Sequence, residues 1–136
     1  MINWKNELGV IRPEFGAGVK AFFTERLGGV SSGPWGIMGL NVGSRVGDNS
    51  SCVRMNRSIV ADLCPSEPRW MTQVHGIAVV NAEDVTDESV QADAQITTQP
   101  ETVCVVQVIL VKEHLVNGWD ELLALFTPVG RVWLPA

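Results

Sequence analysis

The most regular pattern of apolar and polar positions predicts one amphipathic helix over about residues 50–63. Side chains that can face a core recur there three to four residues apart, as on one face of a helix. They are Cys52, Met55 or Asn56, Ile59 and Leu63. The run Asp-Asn-Ser at 48–50 offers capping residues at the start, and prolines at 65 and 68 stop the pattern.

Shorter apolar stretches predict strands. Residues 16–23 predict a strand that enters the segment 28–47, whose seven glycines forbid a regular helix and predict a set of turns. Residues 70–74 and 77–81 predict either two strands broken at His75-Gly76 or one strand with a glycine bulge. An acidic loop at 83–88 and a strand within 92–98 follow. Residues 103–111 are apolar on both faces, which predicts a central strand buried on both sides.

The C-terminal part predicts a short helix capped by Asn117. Its apolar face comprises Trp119, Leu122, Leu123 and Phe126. Pro128 and Gly130 end the pattern, and an extended segment follows at 132–133. The apolar, strand-like terminus predicts a domain that is incomplete at its C-terminus, because chain ends are usually exposed unless something pairs with them.

These elements together predict an α/β or α+β fold with a single mixed sheet. With no internal repeat and no linker, the 136 residues predict one domain over 1–136. A composition of 46% hydrophobic and 18% charged residues is typical of a packed globular chain.

Charge and hydropathy exclude several classes of function. The net charge of −5 and a pI near 4.9 leave no basic face for nucleic acid. The longest apolar run, nine residues, is far below the roughly 20 that span a bilayer, so we expect no membrane span. The charged N-terminus lacks the apolar core of a secretory signal, which predicts a cytoplasmic protein. Three cysteines without a CxxC spacing indicate buried thiols rather than disulfides or a zinc ribbon.

Few residues are candidates for chemistry. His75, in the sequence QVHG, suits either a metal ligand or acid–base group or a hydrogen-bonded structural histidine. Arg26 precedes paired glycines, so its guanidinium and nearby backbone amides could converge on an anion such as phosphate, or it lies in a solvated surface turn. Asp48 and Asp93 could orient a substrate hydroxyl or act as a helix cap and a turn residue. No catalytic acid, base or nucleophile is assigned.

Five motifs in order carry a resemblance to a known family. They are FFTERLGGVSSG, LNVGSRVGDN, NRSIVADL, WMTQVHG and ADAQITTQPETVCVV. In this order and spacing they resemble the laccase-domain family of bacterial purine nucleoside phosphorylases, formerly described as multicopper polyphenol oxidases. The family-like part covers residues 16–107, and residues 108–136 diverge.

The resemblance implies a larger α/β domain with a zinc site, in some members reported with copper, held by two histidines and one cysteine. It implies that His75 is the first metal ligand and that Arg26 and Asn41 bind substrate. The implied substrates are purine nucleosides and phosphate, through phosphorolysis of adenosine, inosine and guanosine or deamination of adenosine.

The chain departs from the family where the other two ligands are expected. Ungapped counting from Cys104 puts Val111 at the position of the ligand cysteine, and the HAGWRG motif that supplies the last histidine is absent from the sequence. Cys104 lies seven positions from Val111, so in a regular strand it points to the opposite face. The sequence therefore predicts an incomplete zinc site, which lacks zinc unless Cys104, His114 or another chain replaces the missing ligands.

Two hypotheses follow. One is a metal-dependent purine nucleoside phosphorylase or adenosine deaminase. The other is a catalytically inactive, truncated or locally altered remnant, or a nucleoside-binding module that keeps the loops but lacks the zinc cysteine and second histidine.

Overall fold

The computed structural model describes residue 12, residues 18–107 and the backbone of 108–111 and 119–128. The elements are β1 (Val19–Thr24), β2 (Leu27–Ser31), α1 (Ser50–Ala61), β3 (Val79–Asn81), β4 (Ala94–Ile96), β5 (Cys104–Val111) and β6 (Trp119–Pro128). Two short 3-10 helices, Gly33–Trp35 and Ala82–Asp84, complete the set. The mixed α/β class expected from the sequence is confirmed.

The predicted helix is confirmed, with an end two residues earlier than expected. Asn49 is its N-cap, and its side-chain oxygen accepts a hydrogen bond from the backbone N–H of Ser51 at 2.9 Å. Val53, Asn56 and Val60 are the buried residues of the helix. The buried face is therefore turned by about one residue from the predicted one: of the predicted residues only Asn56 is buried, while Cys52, Ile59 and Leu63 are half-buried and Met55 is exposed.

The strand predictions fare differently along the chain. β1 and β4 lie within the predicted segments 16–23 and 92–98 apart from one extra residue at the end of β1. The glycine-rich segment holds a strand, β2, as well as turns, so the prediction of turns alone was wrong in part. Of the two stretches around His75, the second is reduced to β3. The first, residues 70–74, contributes an isolated bridge at Thr72, and another lies just before it at Arg69.

Two expectations about the last strands are wrong. The segment predicted as a helix after Asn117 is strand β6, because the three-to-four spacing of large apolar residues did not outweigh pairing between strands. In the three-stranded sheet the order is β1-β6-β5, so β6 is central and β5 is not. The expected burial on both faces is nevertheless found at the start of β5, where the successive residues Cys104 and Val105 are buried, and Cys104 forms a parallel bridge with Arg69. Asn117, His114 and residues 132–133 lie outside the described residues.

Chain contacts divide the protein into two compact units. The first contains Phe23–Leu63 and parts of the last two strands; the second contains Cys64–Val106 with the start of β1. In the second unit β3 and β4 pair in parallel, with Val79 opposite Ala94 and Asn81 opposite Ile96. Below that pair, Met71, Val85 and Ala92 form a buried cluster against which Val80 and Val90 pack.

No helix in the described part of the chain has the length and apolar character needed to cross a bilayer. The prediction of a single domain over 1–136 and that of a cytoplasmic location stay predictions.

Candidate functional site

Arg26 lies in the first unit, between β1 and β2. Its carbonyl oxygen accepts a hydrogen bond from the backbone N–H of Leu40 at 2.7 Å. The guanidinium group packs on Gly36, where an added Cβ would lie 3.1 Å from Nη2 and 3.4 Å from Nε. Gly36 also has φ +82°, a conformation that favours glycine. The guanidinium can therefore pack at this position because residue 36 has no Cβ.

One donor of this guanidinium is unsatisfied. Nε of Arg26 is buried and has no hydrogen-bond partner within the described residues. Buried N–H groups are almost always paired, and a charged donor left unpaired is costly. An anion that reached Nε would satisfy it.

The backbone amides next to Arg26 are not free to join it. The N–H groups of Gly28 and Gly29 both donate to the carbonyl of Met38, at 2.9 and 3.0 Å. The convergence of these amides on an anion, expected from the sequence, is therefore wrong. Gly29 is instead required for packing, because a Cβ there would overlap Asn56 Oδ1 and the carbonyl oxygen of Gly39.

Asn41 is 2% exposed and lies in a buried segment, residues 40–43. Its Oδ1 accepts from the N–H of Gly43 at 3.0 Å, and its Nδ2 donates to Asp48 Oδ2 at 3.0 Å. The carbonyl oxygens of the same segment accept from α1: Asn56 Nδ2 donates to Asn41 O at 2.7 Å, and Arg57 Nε donates to Val42 O at 2.8 Å. The Asn41 side chain thus shapes the loop.

Asp48 links the side chains of Ser31 and Asn41 in the first unit, because its Oδ2 accepts a hydrogen bond from each. Burial pushes its pKa upward, but hydrogen bonds from Ser31, Asn41 and the N–H of Asn49 outweigh burial and hold the pKa below its ordinary value. Ser31 Oγ, which donates to Asp48 Oδ2 at 2.6 Å, also accepts from Asn56 at 2.9 Å. Asp48 is therefore an ionised anchor of the loop, while Asn49 is the cap.

His75 lies in the second unit, on an exposed turn between Thr72 and β3. Its backbone is left-handed, with φ +57°. Asp93 holds the turn: Oδ1 accepts from the N–H groups of Val74 and His75 at 3.0 and 2.7 Å, and Oδ2 accepts from Gly76 at 2.8 Å. The bond from Gly76 is the largest of the influences that lower the pKa of Asp93.

His75 does not complete a metal site with its neighbours. Among the described residues, no group of three or more His, Cys, Asp or Glu side chains could hold a metal ion. Cys104 is buried, and burial, with the negative charge of Glu83, raises the pKa of its thiol to about 11. In the metal-free protein this thiol is therefore protonated at neutral pH. The described residues therefore do not supply the three protein ligands of a zinc site.

Sequence reasoning missed the roles of Asn56 and Gly36; it named Asp93 as a possible turn residue but did not identify the turn at residues 74–76 as its partner. A glycine two residues after Pro34 is a usable turn signal. Nothing local points to Asn56 or Asp93, because their partners lie 15 to 26 and 17 to 19 residues away.

The family-like region of the chain matches a known family model. The model described as multi-copper polyphenol oxidoreductase laccase matches residues 20–109.

Curated relatives share the same region. The chain is similar to the purine nucleoside phosphorylase of Haemophilus influenzae, with 38% identity over 90 residues, and to the purine nucleoside phosphorylase YfiH of Escherichia coli K12, with 41% identity over 91 residues. These alignments cover 65% of this chain but 36% and 37% of the relatives. The chain thus matches little more than a third of their length.

Solved structures agree on the fold. A Neisseria meningitidis protein of the DUF152 family superposes with a TM-score of 0.65 at 29% identity, covering 89% of this chain and 50% of that one. YlmD from Geobacillus stearothermophilus superposes with a TM-score of 0.56 at 26% identity, covering 84% and 46%.

Proposed function

We propose, since the chain belongs to the multi-copper polyphenol oxidoreductase laccase family, that it binds the purine nucleoside and phosphate that the names of its relatives imply. The reaction is phosphorolysis: a phosphate oxygen bonds to C1′ of the ribose, the bond from C1′ to the purine nitrogen breaks, and the base leaves with the electron pair and takes up a proton. The products are a purine and ribose 1-phosphate.

Arg26 is the proposed phosphate-binding residue, and its unsatisfied Nε is the observation that carries the proposal. Guanidinium binds phosphate oxygens through fixed, charge-assisted hydrogen bonds. Because Gly36 holds the guanidinium in place, little side-chain entropy is lost when an anion binds.

Asn41 contributes to the same site through the loop that it shapes. Both hydrogen-bonding ends of its amide are engaged within the segment and with Asp48. We therefore propose that it fixes the loop bordering the nucleoside rather than donating to the substrate itself.

His75 is proposed as a single imidazole donor to zinc, or to copper, whose other ligands come from outside the described residues. The described residues do not by themselves fit a complete site. A catalytic zinc site needs about three protein ligands, so His75 alone would bind the ion weakly.

The first experiment separates the enzyme from a remnant. Purified full-length chain is analysed for zinc and copper, with His75→Ala as the control, and is incubated with inosine and phosphate. About one metal ion per chain that is lost in the control, with release of hypoxanthine, supports the phosphorylase. Formation of inosine from adenosine would extend the function to deamination.

The second experiment tests Arg26. We expect Arg26→Gln to weaken binding of inorganic phosphate, measured by calorimetry, by about 10-fold or more, since a hydrogen bond to a charged group contributes about 1.5–3 kcal/mol. The matched control is Arg54→Gln, an exposed arginine on α1. Equal phosphate binding by both variants would contradict the proposal.

A nucleoside-binding module without catalysis is the second candidate. It is favoured by the lack of a three-ligand group among the described residues. Binding of inosine by a metal-free chain, without hypoxanthine release, would identify it.

A further inference from the structure

The turn at residues 74–76 is held by one carboxylate. Three successive backbone N–H groups converge on Asp93, and both of its oxygens are used as acceptors, over distances of 2.7 to 3.0 Å. Asp93 is itself anchored, because its own N–H donates to the carbonyl of Ala78 at 3.1 Å and β4 begins at the next residue.

Packing does not hold this turn. Val74, His75 and Gly76 are exposed, and Ile77 is 99% exposed. The left-handed backbone of His75 is unfavourable for a residue that carries a Cβ, so it needs a specific interaction to persist. The hydrogen bonds to Asp93 are that interaction.

We propose that Asp93 is a positioning residue, which holds the main chain of His75 in its left-handed conformation and thereby fixes the direction in which the imidazole is presented. Its use for binding rests on the role proposed above for His75. Asp93 accepts from the main-chain N–H of His75, so it orients the imidazole through the backbone rather than through a hydrogen bond to the ring.

The carboxylate is suited to this task in a way that an amide is not. Two oxygens serve three donors, so both ends of the side chain must accept. In Asp93→Asn one carboxylate oxygen is replaced by an NH₂ group, which can only donate. This group then faces another donor, either the N–H of Gly76 or the N–H groups of Val74 and His75. The isosteric variant therefore loses the hydrogen bonds at one end of the side chain, which are one or two of the three, with almost no change in volume.

The test is NMR of isotope-labelled, full-length protein at neutral pH. In the wild-type chain we expect downfield amide protons for residues 74–76 and a His75 coupling constant and carbon shifts that match positive φ. In Asp93→Asn these signals should move to values typical of an unstructured turn. The matched control is Asp87→Asn, which removes another bond from an aspartate to a backbone N–H, that of Ser89 at 2.7 Å, and should leave residues 74–76 unchanged.

Titration with zinc chloride, followed on the ring signals of His75, tests whether Asp93 affects metal binding as well as the backbone of the turn. We expect zinc affinity at His75 to fall about 10-fold or more in Asp93→Asn, with the unfolding temperature little changed. Asp93→Ser, which keeps a single acceptor, is the second variant if the first does not fold.

The outcomes are separable. An unchanged His75 backbone in Asp93→Asn overturns the proposal, as does a lost conformation with unchanged zinc affinity. A wild-type chain with the clamped turn but no zinc response at His75 refutes the metal role under the proposed function, while the loss of positive φ in Asp93→Asn still supports the clamp.

Discussion

Replacing Asn56 with alanine measures how strongly one buried side chain joins the loop to the helix. Asn56 is fully buried, accepts from the N–H of Val30 at 2.8 Å and donates to the carbonyl of Asn41 at 2.7 Å. Truncation leaves both groups without this partner, and it also removes the bond from Asn56 to Ser31 Oγ at 2.9 Å, which is not counted below because Ser31 keeps its bond to Asp48. A buried group that loses its partner costs about 1–3 kcal/mol, which we apply to the buried carbonyl, with about 1 kcal/mol for the half-buried N–H.

Alanine offsets part of this loss, because its intrinsic helix propensity is more favourable than that of asparagine by up to about 0.7 kcal/mol. The free energy of unfolding should therefore fall by about 1.3–3.3 kcal/mol before any cavity is counted. At roughly 4 °C per kcal/mol for a chain of this length, the unfolding temperature should fall by about 5–13 °C.

The assay is urea unfolding followed by both tryptophan fluorescence and circular dichroism, so that coincident transitions establish two-state behaviour. Asn56→Leu separates hydrogen bonding from volume, since it fills the space but makes none of the bonds; it should not restore stability. The exposed neighbour Arg54→Ala should stay within about 0.5 kcal/mol of the wild type. A loss in Asn56→Ala no larger than in Arg54→Ala would refute the reasoning.

Three further predictions concern the same unit. The pKa of Asp48 is lowered in the folded protein, so its contribution to stability is present above its unfolded pKa and is lost as pH falls through the folded pKa. The urea midpoint should therefore drop less steeply between pH 7 and pH 3 in Asp48→Asn than in the wild type. Asn49→Ala should lose about 1 kcal/mol through its cap, whereas equal stability in a thermal melt would show that the cap is dispensable. Gly36→Ala should displace the guanidinium of Arg26 and weaken phosphate binding, and unchanged calorimetric affinity would count against that packing.

The helix shows what local sequence determines well. Its periodic apolar face, the capping run at 48–50 and the prolines that follow all act over a few residues, and the observed α1 agrees with them. The same spacing of apolar residues failed for β6, because a pattern such as Trp119 to Phe126 suits either a helix face or a strand, and sheet neighbours decided the outcome.

The candidate site divides in the same way. His75 and Arg26 stood out because histidine is rare here and because arginine precedes two glycines. The residues that position these two side chains could not be matched to them from the sequence. Asp93 binds N–H groups that lie 17 to 19 residues earlier in the chain, and Gly36 contacts Arg26 from ten residues away. Such pairs are fixed by topology and cannot be read from spacing.

The buried segment 40–43 has a consequence for the order in which the protein folds. Its carbonyl oxygens at Asn41 and Val42 accept from side chains of α1, 15 residues further along the chain. During synthesis this segment emerges before its partners exist, so it must stay hydrated until the helix has formed and docked. An insertion between segment 40–43 and α1 would lengthen the loop that must close when the two meet. It would cost little stability at equilibrium, but it would slow the docking of the helix on the segment.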